Sequence, residues 1–208
     1  MAWKVNLKEV YQMARDAYWS LWDTAKRNGR DVKVILHWSA GYGKTVFNDY
    51  HINITDDGTL WCTGEFDETK SHSWRKNSGA IGVSLCCAYG ATSSDIGENG
   101  PTPIQIEQMA RVIAVICDAL DLTIDIKHVP THGEAADNAD GDYSGYGPEE
   151  EYGPLSTVER WDLQYLGTDE SPVFLKDYDD PRTGGNVLRG KALFYRNRWK
   201  EHPEERPY

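Results

Sequence analysis

Three side chains of types that bind metal ions stand at or beyond the ends of predicted strands. His37 ends an apolar run of strand length, His132 follows a second such run, and Asp162 lies beyond a long polar loop. Catalytic zinc takes three nitrogen, oxygen or sulfur ligands from the protein and keeps a fourth position open for water, so these residues could form such a site. The alternative is that each is an ordinary polar residue at a strand end. Three other histidines compete for the same role: His51, His72 and His128.

A phosphate-binding loop is the rival interpretation of the residues that follow His37. The segment GYGKT, residues 41 to 45, copies the end of the G-x-x-x-x-G-K-[ST] motif, whose first glycine lets the backbone approach the phosphates of a nucleotide. Here Trp38 stands where that glycine is needed, and no apolar run after Thr45 predicts the helix that would hold the anion. The sequence therefore disfavours nucleotide binding and predicts a glycine-containing loop, in which Lys44 is a candidate for substrate contact.

Other motifs for metal binding and hydrolysis are incomplete. The four cysteines form no C-x-x-C pair, which argues against a cysteine zinc site or a redox motif. His132-Gly133-Glu134 matches the H-x-E part of a zinc deaminase, but the P-C-x-x-C part is missing. H-E-x-x-H is also missing, which disfavours a metalloprotease with its ligands on one helix.

The composition predicts one soluble domain. The chain has 208 residues, 39% of them hydrophobic and 12% aromatic, which is enough for one substantial core, and no apolar run approaches the length of a membrane span. The net charge of −11 opposes nucleic-acid binding; eight acids lie within residues 133–159, and six basic residues lie within residues 182–200. The N-terminus lacks the features of a secretory signal, so we expect synthesis in the cytoplasm, and we expect a monomer.

Hydrophobic periodicity predicts the elements that must position the candidate ligands. One helix is predicted from Leu7 to the stop signal Gly29, and another runs from a Thr102–Gln105 capping box to Leu120. Strands are predicted at residues 32–38, 50–64 (a hairpin turning at Asp56-Asp57-Gly58), 80–90 and 123–129, with a long loop at 133–154 and a short helix at 156–166. This order predicts an α/β fold: a single domain with a central mixed β-sheet flanked by helices.

Five segments, in this order, resemble one known family. The segments ILHWSAG, YHINITDDGTLW, SHSWRKNSGAIGVSL, THGEAAD and RWDLQYL look like those of the zinc-dependent N-acetylmuramoyl-L-alanine amidases, in the phage lysozyme and peptidoglycan recognition protein superfamily. Each motif alone is weakly specific, but five in register are a strong signal, which covers about residues 30 to 167. The resemblance implies that His37, His132 and Asp162 bind Zn²⁺, and it makes His128 a strand residue outside the metal shell.

The resemblance also implies roles for residues around the metal. Tyr50 corresponds to a tyrosine that orients water or relays a proton, and Arg160 corresponds to a Lys or Arg that stabilises the developing oxyanion. His72 and Asn77 match residues that line the substrate groove.

The residue at position 84 departs from one branch of the family. Where some bacterial members have a glutamate in I-G-I-E-L, this chain has Ser84, which cannot serve as that general base. Phage lysozyme-type members also lack the glutamate, so hydrolysis is still expected. Proton transfer then falls to Tyr50, to water activated by zinc, or to Glu134, two residues from a ligand.

The implied function is hydrolysis of peptidoglycan at the amide between N-acetylmuramic acid and L-alanine of the stem peptide. The alternative is a non-catalytic peptidoglycan-binding module, but Asp162 argues against it because such modules lose the third ligand. We expect the amidase domain at residues 1–167 and a C-terminal extension at 168–208. This extension is predicted to pack on the domain through its apolar residues, with binding of its basic run to anionic wall polymer as the alternative. The enzyme would reach the cell wall after release, as a phage endolysin or as a toxin delivered by a secretion machine.

Overall fold

The computed structural model describes residues 1–142 and 161–208, in which a five-stranded mixed sheet lies against helices. The strands are β1 (Trp3–Val5), β2 (Lys33–Trp38), β3 (Ile52–Ile54), β4 (Leu60–Cys62) and β5 (Ala80–Leu85). The helices are α1 (Leu7–Asp16), α2 (Tyr18–Arg27), α3 (Pro103–Ala119), α4 (His132–Ala136) and α5 (Gly184–Glu201), followed by a 3-10 turn at Pro203–Glu205. The predicted single α/β domain with a central mixed sheet is confirmed. Within the described ranges, no helix combines the length and the apolar character needed to span a bilayer.

The sheet has the strand order β1-β4-β3-β5-β2. β5 lies between β2 and β3 and is parallel to both, whereas β4 is antiparallel to β3 and β1. β2 and β5 are buried along their whole length, as expected for parallel strands covered on both faces. The carboxyl ends of β2, β3 and β5 therefore meet at one edge of the sheet, and His37 lies near that edge.

The hairpin and the central helix form as their sequences predict. The strands β3 and β4 are joined by a turn in which Gly58 has a φ of 80°, a conformation that glycine adopts without steric cost. Helix α3 begins with the predicted capping box, since the Thr102 side chain accepts from the Gln105 N–H and the Gln105 side chain accepts from the Thr102 N–H. The Gln105 amide also donates to the Ile54 carbonyl at 2.8 Å and the Cys86 carbonyl at 3.1 Å, which ties α3 to the ends of β3 and β5.

The N-terminal region differs from its prediction in two details. The predicted helix is divided into α1 and α2 at Ala17, whose N–H donates to the carbonyls of Met13 and Arg15. The short strand β1 precedes it and was not predicted, because three residues are too few for an alternating pattern to be recognised.

The prediction of a strand at residues 123–129 is wrong. These residues form a turn, because the Asp125 carboxylate accepts a hydrogen bond from the His128 N–H at 2.9 Å. The chain runs beside β2 from the end of this turn, where the Val34 N–H donates to the His128 carbonyl at 2.7 Å and the Leu36 N–H donates to the Pro130 carbonyl at 2.9 Å. The segment therefore still leads to the carboxyl end of β2.

The region predicted as a loop at 133–154 begins with α4. Thr131 caps this helix, since its side chain accepts from the Glu134 N–H and the Glu134 carboxylate accepts from the Thr131 N–H. Beyond residue 142 the predicted loop lies outside the described residues, as do residues 156–160 of the predicted helix at 156–166. In the described part of that helix, residues 162–166 form a turn and irregular backbone instead.

The C-terminal segment forms α5, for which no helix was predicted. It lies against α3 through ion pairs of Lys191 with Glu107 at 3.0 Å and of Arg196 with Asp118 at 2.6 Å. The division of the chain at residue 167 stays a prediction.

Candidate metal centre

Three side chains from separate segments converge at the carboxyl end of β2. The His37 Nδ1 lies 3.1 Å from the Asp162 Oδ2, and the His132 Nδ1 lies 2.9 Å from the same oxygen. The two imidazole rings are 4.8 Å apart between centroids. His37 and Asp162 are buried, and the His132 side chain is 12% exposed. His37 comes from the strand, and His132 is the first residue of α4, placed by the Thr131 cap.

This arrangement fits a metal ion. One ligand atom from each residue lies within 4.8 Å of the other two. The ligand atoms of a single tetrahedral zinc ion lie about 3.3 Å apart, close to the two distances measured here. Two imidazole nitrogens and one carboxylate oxygen form a suitable donor set, so the predicted ligands His37, His132 and Asp162 are brought together as a candidate metal site.

Neighbouring groups hold two of these side chains in place. The Asp162 Oδ1 accepts a hydrogen bond from the backbone N–H of Trp38 at 2.8 Å, which leaves Oδ2 directed at the histidines. The His37 Nε2 lies 3.1 Å from the His72 Nδ1, so the far side of the His37 ring has a hydrogen-bond partner. Such partners fix the ring orientation and tautomer of a ligand histidine.

The charge states also suit metal binding. Burial lowers the pKa of His37 to about 4, against the opposing effect of Asp162, so the imidazole is neutral at pH 7 and has a free lone pair. Burial raises the pKa of Asp162, but hydrogen bonds with His132 and His37 outweigh this, and the net pKa lies below its ordinary value. The centre therefore offers one negative charge and neutral His37.

Tyr50 lies directly beside the centre. Its ring centroid is 4.9 Å from that of His37, and the Ser84 side chain lies near its hydroxyl group. Ser84 is in register with His37 across the β2–β5 pair. Burial, followed by the charges of Asp162 and Asp49, raises the pKa of Tyr50 well above its ordinary value. The phenol therefore keeps its proton at neutral pH.

The two predicted groove residues belong to one loop that precedes β5. His72 is buried against His37, and the Asn77 side chain accepts from the N–H groups of His72 at 3.1 Å and Ser73 at 2.7 Å. A Cβ atom on Gly82 would lie 2.8 Å from the His72 ring, so only glycine in β5 leaves room for that ring. Here Asn77 shapes the loop and His72 supports a ligand; their contact with substrate stays a prediction.

The remaining predicted substrate and oxyanion residues lie farther out or outside the described ranges. Lys44 is exposed in a turn, and no helix follows Thr45, which agrees with the exclusion of a phosphate-binding loop. Arg160 lies outside the described residues. Its role, like that of Lys44, stays a prediction.

The two other histidines that competed for the ligand role have partners elsewhere. The His51 Nδ1 accepts from the Gly82 N–H, and its Nε2 donates to the Glu68 carbonyl. His128 is held by Asp125 and Asp31. Neither joins the group formed by His37, His132 and Asp162.

The carboxylate of Glu134 is engaged in a buried ion pair. Its two oxygens accept hydrogen bonds from Arg189 of α5, at 2.7 and 2.8 Å, and one of them also accepts from the Thr131 N–H. Sequence reasoning suggested Glu134 as a proton-transfer group, but this geometry favours a structural role instead. Arg189 was not singled out, because a lone arginine in a basic run gives no signal of its buried partner.

Comparison with protein families identifies the chain. Residues 11–144 match the model of the Amidase_2 family, described as N-acetylmuramoyl-L-alanine amidase, and the chain belongs to this family. The family implies N-acetylmuramoyl-L-alanine amidase activity and a peptidoglycan substrate. The match includes His37 and His132 and ends before Asp162. No curated protein and no solved structure matched the chain at a significant level.

Proposed function

We propose that this chain is a zinc-dependent amidase that hydrolyses the bond between the lactyl group of N-acetylmuramic acid and L-alanine. The observation that carries the proposal is the convergence of the His37, His132 and Asp162 ligand atoms in a chain of this family. A recognition module that only binds peptidoglycan does not need the complete set of three ligands.

The three ligands account for metal binding without help from other described residues. His37 and His132 supply nitrogen lone pairs, and Asp162 supplies the negative charge that attracts a divalent cation. A zinc ion at this site would polarise the amide carbonyl and make water a stronger nucleophile at neutral pH. The Trp38 N–H and His72 keep the ligands in place as the ion binds.

Tyr50 is the best-placed proton carrier of the described residues. Its raised pKa means that it is a donor at neutral pH, and its ring packs beside His37. It can donate a hydrogen bond to the carbonyl oxygen as negative charge develops there. We propose that Arg160, which precedes the third ligand by two positions, adds a positive charge to the same oxyanion.

Cleavage of a glycosidic bond is disfavoured. That reaction requires two carboxyl groups on opposite sides of the sugar bond, one of them protonated. At this centre Asp162 has a lowered pKa, and the nearby Glu134 is paired with Arg189. Asp162 is therefore ionised at neutral pH, and the Glu134 carboxylate is turned away from the centre toward Arg189.

Digestion of purified peptidoglycan by the full chain tests the proposal. The products are analysed by mass spectrometry, with zinc content measured on the same sample. We expect free stem peptides with N-terminal L-alanine and intact glycan strands, and we expect Asp162→Asn to yield neither product nor full zinc occupancy. New reducing sugar ends without free peptides would overturn the proposal. Binding of peptidoglycan without any cleavage would support the recognition-module alternative.

We also propose that the enzyme is made in the cytoplasm and acts on the cell wall after release. Lysis by a phage and delivery by a secretion machine are the two routes considered, and the neighbouring genes distinguish them. Genes for a membrane-permeabilising protein would support the first route, and genes for a secretion apparatus the second.

A further inference from the structure

The start of α5 lies against the segment that carries the third ligand. The Gly184 N–H donates to the Gln164 carbonyl at 2.8 Å. A Cβ atom on Gly184 would lie 2.3 Å from the Leu163 carbonyl oxygen, so the two backbones meet without room for a side chain. Leu163, the residue after Asp162, has a φ of 60°, which is uncommon for leucine. The start of α5 therefore packs against an uncommon backbone conformation at Leu163, which depends on support from its surroundings.

The same part of α5 also reaches the segment that carries His132. Arg189 is 5% exposed; it donates to both oxygens of Glu134 at 2.7 and 2.8 Å and to the Val129 carbonyl at 2.9 Å. Glu134 completes the capping box with Thr131, and this box sets the backbone of His132 as the first residue of α4. Arg189 therefore stabilises the N-terminal cap of α4, and this cap orients the ligand His132.

A further hydrogen bond joins the two ligand segments to each other. The Gly133 N–H donates to the Asp162 carbonyl at 3.2 Å. A displacement of the start of α5 would therefore shift the positions of both His132 and Asp162. The matched family region ends at residue 144, so this support comes from outside it.

We infer that the start of α5, residues 184–189, is a positioning element of the metal centre, with Arg189 as its principal residue and Gly184 and Gly185 permitting its close approach. The inference rests on the proposed function, since it assumes that His132 and Asp162 bind zinc. It gives the C-terminal segment a role in metal affinity, beyond packing on the domain. The loss of such a support for a ligand typically weakens metal binding by about 10- to 100-fold.

Two alanine substitutions in α5 form a matched test. A Cβ atom on Gly185 would lie 2.5 Å from the Glu134 Oε1 and 2.9 Å from the Arg189 Nη1, whereas a Cβ atom on Gly190 would meet nothing within 4 Å. We expect Gly185→Ala to raise the zinc Kd by about 10-fold or more. Gly190→Ala should leave the zinc Kd unchanged and raise the unfolding temperature, because alanine favours a helix more than glycine does.

Zinc affinity is measured by competition with a chromophoric chelator, and folding is checked by circular dichroism at the same temperature. Equal zinc Kd values for folded Gly185→Ala and Gly190→Ala would overturn the inference. If wild type itself bound no zinc, the proposed function would fail instead, so the two failures are distinguishable.

A second pair of variants tests Arg189 directly. Arg189→Met removes the partner of Glu134, and Arg196→Met removes an arginine of the same helix that pairs with Asp118 on α3. Both should lower the unfolding temperature, but only Arg189→Met should weaken zinc binding. If Arg189→Met does not fold at any temperature, the Gly185→Ala and Gly190→Ala comparison still decides the question.

Discussion

A buried carboxylate lies near each end of β2, but the two carboxylates have partners of different chemical type. At the start of the strand, Asp140 lies 3.0 Å from the Lys33 ammonium and 2.9 Å from that of Lys76. At the other end, Asp162 lies against the imidazoles of His37 and His132. Within residues 1–142 and 161–208, no Lys or Arg side chain forms an ion pair with Asp162.

This difference separates a structural cluster from a functional one. The ordinary pKa of lysine is about 10.4, and although burial lowers the pKa of Lys76, the charge of Asp140 opposes that shift, so Asp140 has its counter-charge within the chain. His37 has a pKa of about 4 and gives Asp162 no such charge. A buried carboxylate is costly without a counter-charge, so the second end is suited to a cation from outside the chain. Burial alone therefore does not mark a functional site; the two ends differ in the chemical type of the partners, lysines at one and histidines at the other.

The largest effect is expected from removing a metal ligand at the carboxyl end of β2. His132→Ala should lose about one equivalent of zinc and with it the amidase activity, because two ligands rarely retain a catalytic ion. Metal analysis and muropeptide release are measured on the folded variant. Full zinc retention would contradict the assignment of His132.

Removing the carboxylate near the start of β2 should lower the stability of the fold but leave zinc binding unchanged. Asp140→Asn deprives two buried ammonium groups of their counter-charge, and breaking such a cluster costs about 3–5 kcal/mol. Urea unfolding measures this loss, and zinc content should stay near one equivalent in the folded variant. A stability change below about 1 kcal/mol would show that the cluster behaves like an exposed ion pair.

Tyr50→Phe tests whether the metal centre also uses a proton-transfer group. Zinc content and unfolding temperature should stay close to wild type, while kcat falls by about a hundredfold, the usual scale for a positioned proton-transfer group. The rate is measured on a defined muramyl peptide. A wild-type rate would leave Tyr50 with a packing role only.

The smallest effect is expected for Asp31, two residues before β2. Hydrogen bonds from Lys127 and Lys26 hold its pKa below its ordinary value, but both lysines are more than half exposed. The stabilisation is present above the unfolded-state pKa, near 4, and is lost as pH falls through the lower folded-state pKa. Asp31→Asn should therefore cost less than about 1 kcal/mol at pH 7 and make no difference at low pH. Urea unfolding at both pH values measures this; an equal cost at both would contradict the ionic origin.

The fold was largely predictable because its elements have strong local signals. The buried strand at 32–38, the hairpin turn at Gly58 and the capping box of α3 each follow from short-range patterns. The strand prediction for residues 123–129 is wrong because apolar residues alternate there as they do in a strand. A turn held by the Asp125 side chain prevailed over that pattern.

The metal centre was predictable only in part. Spacing alone left six side chains in competition, and the resemblance selected His37, His132 and Asp162 from them. The contacts that decide the matter join residues distant in the sequence, and the Trp38 N–H and Asp162 are 124 positions apart. The same limit explains why Glu134 was considered for proton transfer, since its pairing with Arg189 depends on the folded chain.

The helix α5 has a consequence for exchanging parts between members of this family. A chimera in which only residues 11–144 are replaced would receive the donor's counterparts of His37 and His132 with their surroundings. It would keep the recipient's third ligand and the helix that supports it. Gly184 and Arg189 fit the particular backbone that they touch, so a foreign helix in their place would meet surfaces shaped for another sequence. The segment that must be exchanged as a unit therefore extends at least through Arg189, well past residue 144, where the family match ends.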